Sequence, residues 1–442
     1  MTAASHVRRT LPEVEVVVVE RGPYTSYSMC GIPYYVGGEI DAAGDLVAKP
    51  PEAFREMGIT VHLGCEAVAV DPAARTVQVR DLDGGAERDE PYDALLLATG
   101  AHPQVQPLPG LDRYGHVVHT LDEGEHLRRH LDARADVRRV VVVGAGYIGM
   151  EIAEALVRRG IDATLVDRSP QVMKSLDPDM AAHVERVLDD FGVRLCLGQT
   201  LREVRGTGDG LCSEVVTDAG TYPADTVVLA MGGKPNLALA RSAGCRVGPS
   251  GGLLVDPRMR TTVPGIWAAG DCVESLDLVA GLRRNVQLGT HANKQGKVAG
   301  IVIAGGDAAF PGVVGTAVTK VCAWEIGRTG LLEADAREAG VDYEVVAFTG
   351  SARAGYMPDP GTVHVKMMAE RGSGRLLGAQ LVGTGNVAKR IDVAATWCQL
   401  RVPVQDAQLL DLSYAPPFGG VWDLLQVGAR KLVKALGLHP QL

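Results

Sequence analysis

The sequence predicts an α/β fold with two Rossmann-like dinucleotide-binding domains followed by a C-terminal α+β domain. Three observations predict it. A strand–glycine loop–helix–strand unit surrounds Gly144, an incomplete second unit lies near the N-terminus, and longer alternating strands begin at about Val321. The chain of 442 residues is long enough for roughly two or three domains.

The complete unit begins with a buried strand, 140–143, which runs into Gly144-x-Gly146-x-x-Gly149. A helix with an apolar face follows, and a second strand ends at Asp167. These parts stand where a dinucleotide fold requires them, because the glycines let the backbone approach a pyrophosphate at the helix N-terminus. We therefore predict a nicotinamide dinucleotide site here, with a purely structural turn as the alternative.

The residues after the second strand leave the choice of nicotinamide open. Asp167 favours NADH, because a carboxylate bonds the ribose 2′-OH and repels a 2′-phosphate. Arg168 beside it is able to accept that phosphate, which favours NADPH. The sequence predicts NADH or NADPH, with a slight preference for NADH.

The N-terminal unit consists of a helix over 1–9 and a strand over 13–19 that ends at Glu20. A unit of this kind normally opens with a strand and a glycine loop before its helix. Neither occurs ahead of this helix, so we expect the chain to start downstream of both. The affinity of this unit for its nucleotide is therefore open.

Three later segments belong to the same architecture. A strand over 93–100 closes on Thr99-Gly100, and its counterpart over 225–236 contains Gly232. A third strand ends in Gly270-Asp271, and a helix from about residue 290 points its N-terminus at the same crevice. Strands such as 361–366 and a helix over 389–399 then indicate a separate C-terminal domain.

Composition and charge exclude several classes of protein. The formal net charge of −9 gives no case for nucleic-acid binding, and no apolar run approaches the ~20 residues of a membrane helix. The eight cysteines include no C-x-x-C pair, so neither a zinc ribbon nor a disulfide scaffold is expected. We predict no metal site and no membrane association. Without a signal peptide, we also predict a cytoplasmic location.

The stretch S-Y-S-M-C-G-I-P-Y over 26–34 resembles the motif of the single-cysteine branch of the pyridine nucleotide-disulfide oxidoreductases, with Tyr27 in place of Phe. That branch includes CoA-disulfide reductases and NADH oxidases or peroxidases. The resemblance extends over nearly the whole chain. It implies an FAD-binding domain over 1–110 and 245–320 that lacks its first strand and glycine loop. It also implies an NAD(P)H-binding domain over 111–244 and a dimerisation domain over 321–442.

The resemblance further implies the cofactor-binding residues. The terminal acid of the first unit, Glu20, would hold the adenosine ribose of FAD, and Asp271 would bond the ribityl chain. The cofactor-binding residues expected on this basis are Glu20, Arg21, Thr99, Gly100, Gly270, Asp271, Gly144, Gly146, Gly149, Asp167 and Gly232.

Cys30 is the cysteine with a mechanistic context, since it lies in a polar turn before Gly31. Such a position is able to face a helix N-terminus, which lowers the pKa of a thiol and favours the nucleophilic thiolate. No second cysteine lies a few residues away, so Cys30 would form a mixed disulfide with a small thiol or a sulfenic acid. For the other cysteines we favour packing roles.

Two tyrosine segments resemble those of CoA-disulfide reductases: Y-A-P-P-F from Tyr414, and G-Y-M-P around Tyr356. By that resemblance, both tyrosines reach across a homodimer interface to Cys30 of the partner subunit. Either would protonate a departing thiolate. The alternative is that both only pack in the interface.

The predicted function is NAD(P)H-dependent reduction of a low-molecular-weight disulfide, CoA disulfide first, by an FAD enzyme with one redox-active cysteine. Two alternatives use the same residues: an NADH oxidase or peroxidase that cycles through cysteine sulfenic acid, and a polysulfide or CoA-persulfide reductase. A third, from another class, is a flavin-free protein that binds nucleotide or partners. It is motivated by the missing first glycine loop.

Overall fold

The structure, a computed structural model, describes residues 1–208 and 211–439. It has the predicted α/β architecture: two units with parallel strand pairs, then a C-terminal unit built on an antiparallel sheet. The last three residues of the predicted C-terminal domain, 440–442, lie outside the described residues.

The first run of the chain contains short strands and three helices. In chain order they are Thr2–Thr10 (α1), Val17–Val19 (β1), Ser26–Tyr27 (β2), Ile32–Gly37 (α2), Val47–Lys49 (β3), Pro51–Glu56 (α3), Thr60–His62 (β4), Cys65–Asp71 (β5), Thr76–Asp81 (β6), Glu87–Pro91 (β7), Leu95–Leu97 (β8) and Ala101–Pro103 (β9). Strands β1 and β4 pair in parallel, and β5, β6 and β7 form an antiparallel meander. A 3-10 turn, Met29–Gly31, leads directly into α2.

The middle run builds the complete dinucleotide unit. Its elements are Leu111–Tyr114 (α4), Gly115–Val117 (β10), Leu121–Ala133 (α5), Arg139–Val143 (β11), Tyr147–Arg158 (α6), Asp162–Asp167 (β12), Pro178–Asp190 (α7), Arg194–Leu197 (β13), Leu201–Gly206 (β14), Cys212–Thr217 (β15), Thr221–Pro223 (β16), Thr226–Leu229 (β17), Gly233–Pro235 (β18) and Ala238–Ser242 (α8). A five-stranded parallel sheet runs in the order β10-β17-β11-β12-β13. Residues 140–143 of β11 are buried, as expected for a valine run covered on both faces of a parallel sheet.

A third run returns to the N-terminal unit. Its elements are Ile266–Ala268 (β19), Ser275–Leu276 (β20), Arg283–Arg284 (β21) and Gly289–Ile303 (α9). Strand β19 pairs in parallel with β8, so segments far apart in sequence share one layer. Helix α1 lies against α9, where a Cβ added to Gly300 would stand 2.9 Å from Ala3 Cα. Glycine is therefore needed at this crossing.

The C-terminal unit is an antiparallel sheet with helices packed on it. Its elements are Ala317–Val321 (β22), Trp324–Gly330 (β23), Glu333–Glu338 (α10), Tyr343–Ser351 (β24), Thr362–Glu370 (β25), Leu376–Gly383 (β26), Val387–Leu400 (α11), Val404–Ala407 (α12) and Leu424–Leu436 (α13). The strand order is β22-β23-β26-β25-β24, so this sheet starts at Ala317, slightly before the predicted boundary at 321.

A buried ionic cluster joins the middle unit to the C-terminal sheet. The ammonium of Lys366 on β25 lies 3.1 Å from Asp177, 2.7 Å from Asp179 and 2.6 Å from Glu333. Gln380 on β26 donates to Asp177 at 2.7 Å. Because Lys366 is only 5% exposed, its charge depends on these carboxylates rather than on water.

Within residues 1–208 and 211–439, no helix is both long enough and apolar enough to cross a membrane.

Candidate active site

The glycine loop between β11 and α6 has the geometry of a dinucleotide cradle. Gly144 has φ +113°, and a Cβ there would stand 2.2 Å from the carbonyl oxygen of Ala230. A Cβ on Gly149 would stand 1.8 Å from the carbonyl oxygen of Gly144. Gly146, the residue before α6, has open space around its Cβ position. The loop is therefore closed towards the sheet and open where a pyrophosphate approaches a helix N-terminus.

Asp167 closes the same site at the end of β12. Its carboxylate accepts hydrogen bonds from the backbone amides of Ala145 and Ser169, both at 2.7 Å. The side chains of Arg168 and Lys174 are exposed, and neither forms an ion pair within the part of the chain that the structure describes. Arg168, directly after Asp167, is thus an exposed cation with no carboxylate partner beside an aspartate whose oxygens already accept backbone hydrogen bonds.

The two predicted segments around Thr99-Gly100 and Gly232 meet in the structure. Thr99 Oγ1 donates to the Asn236 carbonyl at 2.8 Å, and Asn236 returns bonds to the carbonyls of Thr99 and Gly100, both at 2.9 Å. Gly232 has φ +82° and accepts from the amide of Gln104 at 2.8 Å. These hydrogen bonds hold the two segments together where the chain connects the N-terminal and middle units.

Gly270 and Asp271 follow β19 and face the start of α9. Gly270 has φ +89°, and its amide donates to the side chain of Gln295 at 2.8 Å. Burial raises the pKa of the Asp271 carboxyl, and the nearby imidazole of His119 partly opposes that rise. A half-buried polar group at this position fits the predicted contact with a cofactor hydroxyl, which would satisfy it.

His291 lies in the first turn of α9 and is buried. Its side chain is only 9% exposed, and its Nδ1 atom has no hydrogen-bond partner among the described residues. Burial lowers the pKa of the imidazole, and the nearby Lys294 lowers it further. The ring is buried because α9 packs both against α1 and against the loop after β19.

Glu20 and Arg21 lie at the carboxyl end of β1, the edge where a dinucleotide ribose is predicted. Glu20 Oε1 accepts from the amide of Gly22 at 2.7 Å. Arg21 is largely exposed and stands 3.8 Å from Glu66. This pair is a surface contact that contributes little to stability, so Arg21 is free to turn towards a ligand.

Cys30 lies in the 3-10 turn before α2 and is the exposed thiol among the eight cysteines. Cys322 is half-buried and the other six are buried, and all eight are free. Next to Cys30, a Cβ on Gly31 would stand 2.2 Å from Leu46, so the turn lies tightly against the chain behind it. Accessibility therefore distinguishes the predicted redox cysteine from the cysteines assigned to packing.

The pKa of Cys30 is shifted in the direction opposite to the expectation. Partial burial of the thiol raises it most, although the residue as a whole is exposed, and the carboxylates of Glu151 and Asp271 raise it further. The expectation of a lowered pKa assumed that the positive end of a helix dipole dominates the electrostatic field at the Cys30 thiol. Desolvation of the thiol, together with carboxylates brought in from two other segments, outweighs the lowering of the pKa by a backbone hydrogen bond.

Glu151 was missed by sequence reasoning. It follows the glycine loop on α6 and accepts a hydrogen bond from Thr319 on β22 at 2.6 Å. Burial raises the pKa of the Glu151 carboxyl. Burial also raises the pKa of Tyr34 on α2 to about 12, and the Glu151 carboxylate contributes to that rise. Its place on the helix is readable from the sequence, but its proximity to Cys30 depends on the packing of α2 against α6.

Tyr356 and Tyr414 are close together on an exposed surface of the C-terminal unit. A hydrogen bond that the Tyr356 hydroxyl donates to Tyr414 raises the pKa of Tyr356. We call their surroundings the tyrosine face, which comprises the exposed residues Tyr356, Tyr414, Phe418, Val421 and Trp422. Within residues 1–208 and 211–439, no hydrogen bond joins either tyrosine to Cys30, so the predicted approach to Cys30 of the partner subunit stays a prediction.

The described residues contain no group of three or more His, Cys, Asp or Glu side chains arranged to hold a metal ion.

Family models match two parts of the chain. Residues 1–296 match the model described as pyridine nucleotide-disulphide oxidoreductase, and residues 316–424 match the dimerisation domain of the same group. The first match contains Cys30 and the glycine loop, whereas the second contains both tyrosines. The resemblance predicted from the sequence motifs is confirmed.

Relatives and solved structures cover nearly the whole chain. The NAD(P)H sulfur oxidoreductase (CoA-dependent) of Pyrococcus abyssi is 40% identical over 98% of this chain and 95% of its own length. The NADH oxidase of Methanocaldococcus jannaschii is 35% identical over 99% of this chain and 97% of its own. The structure of an NAD-dependent persulfide reductase from A. fulgidus superimposes with a TM-score of 0.94 at 37% identity, covering 99% of this chain and 81% of that one.

Proposed function

The chain belongs to the pyridine nucleotide-disulphide oxidoreductase family, and on that premise we propose that it uses NADH or NADPH and FAD to reduce a small sulfur compound through Cys30. The observation that carries the proposal is the exposure of Cys30 in the turn before α2, with no other exposed cysteine in the chain. Residues 1–110 and 245–320 would hold FAD, and residues 111–244 would hold the nicotinamide dinucleotide. We keep a cytoplasmic location as a prediction.

The sulfur substrate is proposed to be a CoA-linked disulfide, persulfide or polysulfide. The sequence motifs favour CoA disulfide. The relatives from Pyrococcus abyssi and Pyrococcus horikoshii, 40% and 39% identical, are named as a CoA-dependent sulfur oxidoreductase and a coenzyme A polysulfide/persulfide reductase. All three substrates contain a sulfur–sulfur bond that a single thiolate attacks in the same way.

The proposed reaction requires only one cysteine thiol of the enzyme. The Cys30 thiolate attacks one sulfur of the substrate, so a mixed disulfide forms and one thiolate leaves. The phenol of Tyr414 would act as the acid that protonates this leaving group. FAD, when bound, supplies a two-electron carrier between the nicotinamide and the sulfur. Overall, a disulfide, NAD(P)H and a proton give two thiols and NAD(P)⁺; with a persulfide, one product is hydrogen sulfide.

A homodimer completes the proposed site. The dimerisation-domain match covers 316–424 and includes both tyrosines, and the tyrosine face exposes apolar and aromatic side chains. We propose that this face meets a second copy and brings Tyr414 to Cys30 of the partner subunit.

The decisive experiment replaces Cys30 with Ser in the flavin-loaded protein. We expect reduction of CoA disulfide and of CoA persulfide to be lost, while reduction of the flavin by NAD(P)H continues. Cys322→Ser is the matched control, because Cys322 is the other cysteine with partial exposure. Retained sulfur reduction in Cys30→Ser would contradict the assignment of Cys30.

The visible absorption spectrum of the purified chain tests the cofactor. Flavin bands close to one per chain support the proposal. A colourless protein that takes up no added FAD would favour the flavin-free alternative instead.

NADH oxidase activity is the second candidate, because relatives of that name are 35% and 30% identical over nearly the whole chain. In that reaction Cys30 would alternate between thiolate and sulfenic acid. Consumption of NADH and oxygen without added disulfide measures it directly. If oxygen-dependent turnover exceeds turnover with every sulfur substrate at saturation, NADH oxidation replaces sulfur reduction as the proposed function.

A further inference from the structure

The helix that follows Cys30 is enclosed by the nucleotide-binding unit. Helix α2 packs between α5 and α6, and both crossings are too close for larger side chains. A Cβ on Gly37 of α2 would stand 3.0 Å from Ala155 Cβ on α6. A Cβ on Gly124 of α5 would stand 2.5 Å from Ile32 on α2. The position of α2, and of the turn that precedes it, is therefore set by two helices of another unit.

Two arginines hold the carbonyl groups at the C-terminal end of α2. Arg128 on α5 donates from Nη1 to the carbonyls of Tyr35 at 2.6 Å and Ile40 at 2.8 Å. Arg159, directly after α6, donates from Nη1 to the Val36 carbonyl at 3.0 Å. Charged donors at a helix C-terminus satisfy carbonyls that have no partner inside the helix.

Asp132 joins the two arginines. Its carboxylate lies 3.3 Å from Arg128 Nε and also pairs with Arg159 Nη2. Although burial alone would raise the pKa of this carboxyl, hydrogen bonds from Arg159 and Arg128 hold it below its usual value. The arginine side chains are only 19% and 18% exposed, whereas the side chain of Asp132 that joins them is 49% exposed.

We propose that Arg128, Asp132 and Arg159 form a clamp that positions Cys30 by fixing α2 against the nucleotide-binding unit. The inference rests on the proposed role of Cys30. Helix α6 begins at the glycine loop and ends at the clamp, so one rigid element connects the nucleotide site to the helix behind the thiol. These three are positioning residues, since none of them contacts Cys30. A small displacement of the reacting sulfur from its productive position lowers the rate of the reaction strongly.

The test replaces Arg159 with Met in the flavin-loaded enzyme, which keeps the apolar stem and removes the charged donors. We expect kcat for sulfur reduction to fall roughly tenfold. Alkylation of Cys30 by iodoacetamide near neutral pH should rise at the same time by about threefold, because a loosened turn moves the thiol away from burial and from two carboxylates. Structural damage also lowers kcat and exposes thiols, so the result counts as positioning only if flavin reduction by NAD(P)H and the midpoint of thermal unfolding stay near their wild-type values.

Controls separate positioning from damage. Arg202→Met removes an ion pair with Asp218 in the same unit, at 3.2 Å, and should change neither rate. Reduction of the flavin by NAD(P)H in Arg159→Met should stay within about twofold of wild type, because the glycine loop is unchanged. If Arg159→Met does not fold, Asp132→Asn tests the same bridge with smaller changes in the same directions.

Two results would overturn the clamp. One is a wild-type kcat together with a wild-type Cys30 alkylation rate in both Arg159→Met and Asp132→Asn. The other is an equal fall in flavin reduction and sulfur reduction. Failure of the proposed function is distinguishable, because it appears as sulfur reduction retained in Cys30→Ser, while the alkylation rate of Cys30 still reports on the clamp.

Discussion

The glycine loop and the tyrosine face differ in how much of each site one chain supplies. The loop is complete within the middle unit: backbone atoms of Ala230 and Gly144 restrict the glycines, and Asp167 is held by two amides. The tyrosine face is exposed, with Phe418 at 68% and Tyr356 at 74% of full exposure. One site is built by local backbone geometry, whereas the other presents exposed aromatic and apolar side chains.

This difference separates the two halves of the proposed reaction. Nucleotide binding depends on a loop that a single chain builds, so it should survive the loss of the dimer. The proposed sulfur reduction would need Cys30 and a tyrosine from a second copy, so it should not survive that loss. Four substitutions test that separation, and their expected effects decrease in the order given.

Gly144→Ala should abolish nucleotide binding. The new Cβ would stand 2.2 Å from a backbone oxygen, and φ is +113°, so both crowding and backbone strain oppose it. We expect a loss of about 2–3 kcal/mol in the free energy of unfolding, measured by denaturant titration. The control, Gly146→Ala, has open space and an ordinary φ of −85°, so it should fold normally. Normal NAD(P)H affinity in Gly144→Ala would show that the loop is not the cradle.

Phe418→Glu should separate the two half-reactions. A charge in a buried dimer interface has no compensation, so we expect a monomer in sedimentation or light scattering. Sulfur reduction should fall by roughly a hundredfold, while flavin reduction by NAD(P)H continues. Leu400→Glu is the matched control, because Leu400 is 70% exposed but lies outside the tyrosine face. A dimer with full activity would remove the face from the proposed interface.

Tyr414→Phe should slow thiol release while preserving the dimer. Loss of the phenolic proton should lower kcat with saturating CoA disulfide by roughly tenfold, with the larger loss at high pH, where water supplies protons poorly. Tyr356→Phe is the comparison: it removes the hydroxyl that donates to Tyr414 and should have the smaller effect. Unchanged turnover in Tyr414→Phe would favour the packing role.

Arg168→Ala should alter the preference between the two nicotinamide nucleotides. Its exposed guanidinium has no carboxylate partner in the described part of the chain, so it is available to a 2′-phosphate. We expect KM for NADPH to rise by about fivefold and KM for NADH to change little. Arg202→Met serves again as a control. An equal change in both KM values would assign Arg168 no role in this choice.

The order of the elements and the glycine loop were predictable, because the signals are local. Strand β11, the loop and Asp167 lie within 30 residues of one another, and each has a characteristic residue pattern. The surroundings of Cys30 were not predictable. Its pKa depends on Glu151 and Asp271, and the helix behind it is held by arginines roughly a hundred residues away. Such contacts arise from tertiary packing, and no local pattern records them.

The Lys366 cluster has a consequence for dissecting the protein. A cut between the middle unit and the C-terminal sheet would separate Lys366 from Asp177 and Asp179. The isolated sheet would keep Glu333 as the single carboxylate of the cluster, and the isolated nucleotide-binding unit would keep the two aspartates without their ammonium. Because each fragment would lose the ion pairs that cross the boundary and would expose to water the surface buried there, neither fragment should be as stable alone as it is in the whole chain. Domain boundaries in the sequence are therefore not places where this chain can be divided without loss.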